Sequence, residues 1–186
     1  QLGNGGTSNS GTPLTAGANF LTDATVIFPS PDPDFPLPVG PFLAAGEEHT
    51  CGITTSGTRC WGLNQDGQLG TGSISNPILA PQLISGSFVA ITAGLRHTCA
   101  LTNTGAAFCW GANTFGQLGD GTTATRASPT AVAGGLSFAY LKAGDLSTCG
   151  VTSAGVAYCW GDNEYGQLGD GTTTNSSVPV KVAFQP

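Results

Sequence analysis

The sequence predicts an all-β fold of β-propeller-type repeats, each a blade of four antiparallel strands. Cys-Trp-Gly tripeptides recur with their tryptophans 49 and 50 residues apart, at Trp61, Trp110 and Trp160. This period is typical of propeller blades or of helical repeats. Glycine and proline contribute 29 and 12 of the 186 residues, which excludes long helices because both residues interrupt them.

Each repeat has the same order of segments. An Ala-Gly-x-x-His/Ser-Thr-Cys segment begins at Ala45, Ala93 and Ala143. After the Cys-Trp-Gly tripeptide, a Gly-Gln-Leu-Gly segment follows at 67–70, 116–119 and 166–169. A proline comes next, at Pro81, Pro129 and Pro179. This order predicts repeats at 42–91, 92–141 and 142–186.

The six cysteines are expected to pair within repeats. In the second repeat, a three-residue hairpin loop at 103–105, with Gly105 in the left-handed conformation, sets Cys99 opposite Cys109. Directly opposed residues of a non-hydrogen-bonded pair are close enough for a disulfide. The corresponding loops of the other repeats are 55–56 and 153–155. The predicted disulfides are therefore Cys51–Cys60, Cys99–Cys109 and Cys149–Cys159, which favour an oxidising, extracellular location.

Residues 1–41 are predicted to be a partial repeat with an insertion. Residues 1–13 align with 167–179, and the insertion holds an apolar, β-prone run at 24–28. Six of the twelve prolines follow between Pro29 and Pro41, which predicts an extended segment.

The segment order A-G-x-x-H-T-C-A-L-T, C-W-G-x-N-x-x-G-Q-L-G-D-G-T-T and proline resembles the repeat of the regulator of chromosome condensation family over residues 42–186. The resemblance implies a propeller, commonly of seven blades, and the cysteine-bearing version is similar to repeats of secreted bacterial proteins. Three repeats and a fragment are too few to close such a ring. Two chains that close one ring, head-to-tail addition into a fibre, and part of a longer protein remain as alternatives.

Composition and charge exclude several functions. The net charge of −6, with five basic side chains, excludes nucleic acid as a partner. No apolar run approaches the roughly 20 residues of a membrane span, and a signal peptide is expected to have been removed already. We expect no enzymatic activity, cofactor or metal: His49 and His97 hold a repeat position, and the acidic residues of the last loop match no calcium-binding signature.

Positions at which the repeats differ are the candidate partner-binding sites, because residues shared by all repeats are usually architectural. They are Asp66, Phe115, Tyr165, Glu47, Arg96 and Asp145. The inserted run supplies candidates for self-association, namely Val26, Ile27 and Phe28, since the edges of an open arc invite strand addition. Asn175 begins the one N-glycosylation sequon.

These features lead to two hypotheses of function. The first is a non-enzymatic extracellular structural protein whose repeats self-associate into an oligomer or filament through inter-chain strand contacts. The second is a secreted module that recognises a protein or glycan on the propeller face or rim. The family resemblance supports the second, since secreted relatives include a β-lactamase-inhibiting protein. Nuclear exchange-factor activity fits disulfides and acidity poorly.

Overall fold

The computed structural model describes residues 42–183 and has three four-stranded antiparallel sheets in this range. The first blade comprises β1 (Leu43–Ala45), β2 (His49–Thr54), β3 (Gly57–Gly62) and β4 (Ile78–Leu83). The second comprises β5 (Ala90–Ala93), β6 (His97–Leu101), β7 (Ala107–Gly111) and β8 (Arg126–Ala131). The third comprises β9 (Phe138–Ala143), β10 (Ser147–Thr152), β11 (Ala157–Gly161) and β12 (Ser176–Lys181). The predicted all-β fold of four-stranded blades is confirmed.

The partial repeat and insertion predicted on residues 1–41, including Val26, Ile27 and Phe28, lie outside the described residues. Within residues 42–183, no helix is long and apolar enough to cross a membrane.

The central hairpin of each blade has the register that the sequence predicts. In the β6–β7 hairpin, Cys99 lies opposite Cys109, and Gly105 closes the turn with φ of 79°. The cysteine Cα atoms are 4.1 Å apart in all three disulfides, Cys51–Cys60, Cys99–Cys109 and Cys149–Cys159. This close approach is typical of a non-hydrogen-bonded antiparallel pair. The disulfides therefore cross-link the two middle strands of every blade.

The meander gives each blade two different ends, because consecutive antiparallel strands reverse direction. The turns between the first and second strands and the loops between the third and fourth strands share one end. We call this end the turn face, which consists of 46–48, 63–77, 94–96, 112–125, 144–146 and 162–175. The central hairpins and the links between blades form the opposite hairpin face, which consists of 55–56, 84–89, 102–106, 132–137 and 153–156.

Adjacent blades pack through their inner strands and through the Gly-Gln-Leu-Gly segments. Strand β1 contacts β5, and β5 contacts β9. Gly70 lies against the ring of Trp110, and Gly119 lies against the ring of Trp160. A Cβ atom at either glycine would be 2.7 Å from the indole nitrogen. The loop of one repeat thus covers the tryptophan of the next blade.

The outermost strand of every blade carries a proline, at Pro81, Pro129 and Pro179. Proline has no N–H to donate to a neighbouring strand, and it is a common device that protects a sheet edge from pairing. The outer edges of these blades are therefore poorly suited to strand addition by another chain.

The glycine–tryptophan contact gives a stability prediction. Gly119→Ala should lower the free energy of unfolding by about 2 kcal/mol more than Gly121→Ala, because overpacking costs about 1–3 kcal/mol. Both glycines have positive φ, 68° and 85°, but a Cβ at Gly121 meets nothing within 4 Å. Urea unfolding of the two variants measures the difference. Equal losses would mean that backbone strain alone is responsible.

Candidate functional site

The first blade interface is organised by a chain of buried hydrogen bonds. The hydroxyl of Thr98 and the indole N–H of Trp110 both donate to the carbonyl oxygen of Gln68, at 2.9 and 3.0 Å. His49 Nε2 lies 2.9 Å from Thr98 Oγ1. Because the single hydroxyl proton is directed at Gln68, His49 must donate from Nε2. Its Nδ1 atom is buried without a hydrogen-bond partner, which disfavours a second proton there and so favours the neutral form of the imidazole.

The second interface repeats this arrangement with one difference. His97 Nε2 lies 2.9 Å from Thr148 Oγ1, which donates to the carbonyl oxygen of Gln117 at 3.0 Å. Trp160 packs on Gly119, but its Nε1 has no hydrogen-bond partner. Burial lowers the pKa of His49 to about 4. Burial, together with repulsion from His49 once that ring is protonated in acid, lowers the pKa of His97 to about 3. Both histidines are thus structural groups of the interfaces.

A buried asparagine shapes each long loop of the turn face. Asn113 Nδ2 donates to the carbonyl oxygens of Thr122 and Ala124, both at 3.0 Å, and its Oδ1 accepts from the N–H of Leu118 at 3.0 Å. Asn64 and Asn163 make the corresponding bonds in the first and third repeats: Asn64 Nδ2 to Ser73 O, Asn64 Oδ1 from Leu69 N–H, Asn163 Nδ2 to Thr172 O and Thr174 O, and Asn163 Oδ1 from Leu168 N–H. These side-chain amides bond to backbone groups of the loops, which have no regular secondary structure to satisfy them.

A glutamine side chain in each loop then fixes the variable residue that precedes the Gly-Gln-Leu-Gly segment. In the first repeat, the N–H of Asp66 donates to Gln68 Oε1 at 2.9 Å. The same bond joins Phe115 to Gln117 at 3.0 Å and Tyr165 to Gln167 at 2.9 Å. The candidate partner-binding residues of the loops are therefore held on a rigid support.

Three of the six candidate partner-binding residues meet each other across the first interface. Arg96 Nε is 3.5 Å from Glu47 Oε2, and Arg96 Nη1 is 3.5 Å from Asp66 Oδ2. Arg96 comes from the second repeat, whereas both carboxylates come from the first. The cluster is partly exposed, with side-chain accessibilities of 31–44%, so it adds little stability.

The equivalent positions of the second interface are apolar. Leu95, Phe115 and Leu146 occupy the places of Glu47, Asp66 and Arg96, and all three are half-buried. In the third repeat the corresponding first two positions are Asp145 and Tyr165, and Tyr165 is 84% exposed. At these two equivalent positions the first repeat has two carboxylates, the second has two apolar side chains, and the third has a carboxylate and an exposed aromatic ring.

Within residues 42–183, negative charge is confined to the turn face. All eight carboxylates among residues 42–183 lie there: Glu47, Glu48, Asp66, Asp120, Asp145, Asp162, Glu164 and Asp170. The hairpin face has no charged residue in this range. Asp120 pairs with Arg126 at 2.7 Å, and Asp162 accepts from Gln167 Nε2 at 2.8 Å. Glu48, Asp145 and Glu164 are exposed, so they leave this face negative.

The remaining candidates have simpler surroundings. Asn175 is exposed, and its Oδ1 accepts from the N–H of Asn163 at 2.7 Å, a bond that a glycan on Nδ2 would preserve. Among residues 42–183, no group of three or more His, Cys, Asp or Glu side chains is placed to hold a metal ion. Sequence reasoning missed the roles of the asparagines and of the glutamine carbonyls, although both residues recur in every repeat.

These features define the class of protein as a β-propeller type. Its blades are cross-linked by disulfides, and the loops of the first and second repeats pack on the blade that follows. Models of the Regulator of chromosome condensation (RCC1) repeat match residues 42–68, 88–117 and 138–167, and also 60–101, 104–151 and 154–186. The chain belongs to this repeat family. The three disulfides are compatible with an extracellular location.

Solved structures support the same assignment. The chain is similar to Prp20p from Saccharomyces cerevisiae, with 24% identity and a TM-score of 0.71 over 76% of this chain and 37% of that chain. It is similar to yeast RCC1 (Prp20) in its complex with Kap60, with 23% identity and a TM-score of 0.70 over 76% and 36%. Human WBSCR16 gives 26% identity and 0.70 over 77% and 39%. The chain therefore covers less than two fifths of these structures. No curated protein matches the sequence.

The buried asparagines give a second prediction. Asn113→Asp should lower the free energy of unfolding by about 3 kcal/mol or more, because a carboxylate oxygen would face two carbonyl oxygens without a proton to donate. Asn103→Asp, in an exposed hairpin turn, should change stability by less than about 0.5 kcal/mol. Urea unfolding at pH 7 compares them, and a stable Asn113→Asp variant would contradict the role of the amide.

The buried histidines predict a loss of stability in mild acid. Their folded-state pKa values lie below the ordinary 6.5, so the unfolded chain binds more protons as pH falls. Each histidine should therefore remove about 2 kcal/mol of stability between pH 7 and pH 5. Above pH 6.5 this loss is absent.

Chemical unfolding of the wild type and the His97→Ser variant between pH 5 and 7 tests this. Serine fits the position, since Ser147 occupies it in the third repeat. The variant should show about half of the pH dependence. Unchanged pH dependence in the variant would exclude His97 as a source.

Asp120 does not interfere with this test. Desolvation raises its pKa, but hydrogen bonds from Thr122 and Arg126 hold that pKa below its ordinary value of 3.8, so the protonation of Asp120 affects stability only at a lower pH.

Proposed function

We propose that this chain is a non-enzymatic, extracellular protein-recognition module that binds a basic surface of a partner protein on its turn face. The observation that carries the proposal is the separation of charge, with every described carboxylate on the turn face and none on the hairpin face. A surface of one sign attracts a partner of the opposite sign and accelerates their association.

The rigidity of the turn face supports recognition. Glu48 and Glu164 are exposed, and each belongs to a turn or loop held by hydrogen bonds rather than to a free segment. The N–H of Leu63 donates to the carbonyl oxygen of Glu48 at 2.7 Å, and the N–H of Glu164 lies 3.4 Å from Asp162 Oδ1. A fixed arrangement of charges loses little conformational entropy on binding.

The relatives also support a binding role. Prp20p has been described with its binding properties to Gsp1p and histones, and yeast RCC1 (Prp20) has been solved with Kap60. Proteins that are similar to this chain in fold thus bind other proteins. The disulfides favour a location outside the cell for this one. The buried, neutral histidines favour a non-enzymatic role, because their Nε2 atoms are committed to Thr98 and Thr148.

The two other hypotheses have different support. Self-association through inter-chain strands is disfavoured at the outer edges by Pro81, Pro129 and Pro179. A neutral ligand such as a glycan would fit an open groove of about 680 Å³ on the hairpin face of the second blade. Its lining is uncharged and includes Ser85, Thr102, Asn103 and Phe108. If a glycan binds there, Asn103→Lys should weaken its binding, whereas Glu48→Gln should leave it unchanged.

The charged turn face is tested with a defined basic probe, a fluorescent peptide of alternating arginine and serine. The double variant Glu48→Gln, Glu164→Gln should weaken binding about five-fold or more, as expected for the loss of two exposed charges. The control Ser85→Lys, Asn103→Lys makes the same change in net charge on the hairpin face and should bind like the wild type. Fluorescence anisotropy measures both.

Equal weakening by the two double variants would mean that net charge alone attracts the peptide. The absence of any binding by the wild type at moderate salt would overturn the proposal.

A further inference from the structure

The open groove on the hairpin face belongs to the second blade, which packs against both the first and the third. Its walls are the link before β5, the β6–β7 hairpin and the outer strand β8. Its volume is about 680 Å³, and pockets that bind small organic molecules have roughly 300–1,000 Å³. The groove is therefore large enough for a ligand of that size.

Three small residues keep this groove open, whereas larger residues stand at the equivalent positions of the third repeat. Gly86 corresponds to Leu136, which packs on the core between the second and third blades. Ala106 and Ser128 both correspond to valines in the third repeat. Gly86 has a positive φ of 119°, and a Cβ atom there would lie 2.5 Å from the ring of Phe88. The groove is thus a feature of the second blade and not of the repeat.

An aromatic cluster forms the floor of the groove. The ring of Phe88 packs on Phe108 and on Trp110, with centroid distances of 5.9 and 5.7 Å. Phe88 is buried, whereas Phe108 is half-buried and lines the groove. These contacts hold the ring of Phe108 in place, so that it offers a flat apolar surface. The C–H groups on one face of a sugar ring can pack against such a surface.

The rim of the groove carries hydroxyl and amide groups but no charge. Asn103 is exposed there, and so are three serines, Ser85, Ser87 and Ser128. Within the part of the chain that the structure describes, none of these four side chains makes a hydrogen bond to another protein group. Hydroxyl and amide groups both donate and accept, which matches the hydroxyl groups of a neutral saccharide. A charged ligand would find no opposite charge in the lining.

The hairpin that carries Asn103 is held by the link to the third blade. The hydroxyl of Ser137 donates to the carbonyl oxygen of Thr104 at 2.9 Å. The N–H of Phe138 donates to the carbonyl oxygen of Gly105 at 2.8 Å. A rim that is fixed before binding loses little conformational entropy when a ligand binds.

We propose that this groove binds a neutral saccharide, with one sugar ring packed on Phe108 and its hydroxyl groups bonded to Asn103 and to the serines of the rim. The proposal develops the glycan hypothesis into a site with named residues. It is independent of the basic partner proposed for the turn face, because Glu48 and Glu164 lie at the opposite end of the blades. A proline-rich peptide, which docks on aromatic-lined grooves in other proteins, is the competing occupant that the test must distinguish.

The test measures the binding of neutral oligosaccharides to the full chain. Linear oligomers of glucose, mannose, xylose and N-acetylglucosamine are screened on a glycan array, and the tightest binder is measured by calorimetry. The double variant Ala106→Val, Ser128→Val narrows the groove and should weaken binding about ten-fold or more. Valines stand at both equivalent positions of the third repeat, so this variant is expected to fold, which urea unfolding checks.

A second variant tests the polar rim without narrowing the groove. Asn103→Ser, which copies Ser153 of the third repeat, should weaken binding about five-fold because the amide bonds are lost. The control Ala80→Val, Ala154→Val makes two changes to valine at exposed positions outside the groove and should bind like the wild type.

Three results would overturn the proposal. They are the absence of binding by the wild type to every oligosaccharide, equal binding by the wild type and both groove variants, and binding of a synthetic proline-rich peptide with the sequence of residues 29–41 in the groove without any saccharide binding. Glu48→Gln, Glu164→Gln should leave saccharide binding unchanged, so a failure of this proposal is distinguishable from a failure of the proposed function.

Discussion

The packing of the first two blades depends on the carbonyl oxygen of Gln68, which accepts hydrogen bonds from both Thr98 and Trp110. That oxygen belongs to a loop of one repeat, whereas both donors belong to the next. The second blade, and likewise the third, is therefore completed by a segment that precedes it in the chain. Stability in such a protein is close to a sum of repeat terms and nearest-neighbour interface terms, and the loops that carry Gln68 and Gln117 supply much of the second kind.

The hairpin registers were predictable because they depend on local constraints. A loop of fixed length determines which residues face each other, and a disulfide requires a close pair, so one register satisfied both conditions in each repeat. The contacts of Arg96 were not predictable in the same way. Asp66 and Glu47 lie 30 and 49 residues before it, and a repeat period does not state which turn faces which loop in the neighbouring blade.

The same limit applies to exposure. Phe115 and Tyr165 occupy one position of the repeat, so the sequence treats them alike as candidate anchors. In the structure Phe115 is half-buried, whereas Tyr165 is 84% exposed. The difference comes from the neighbouring blade, because a third blade lies beyond Phe115. The net charge also did not predict that all carboxylates of residues 42–183 lie on one face, since this becomes visible only when the strands are placed as a meander.

The change from histidine to serine along the repeats also decides where the blade packing responds to acid. His49 and His97 link neighbouring blades through Nε2, which lies 2.9 Å from Thr98 Oγ1 and Thr148 Oγ1, whereas the Nδ1 atoms of both rings are buried without a partner. A second proton on either ring would therefore be placed where no group accepts it, so these side chains stabilise the folded chain at neutral pH and lose that contribution in acid. Ser147 has no ionisable group at the equivalent position, so the acid sensitivity of this repeat position within residues 42–183 rests on the two histidines.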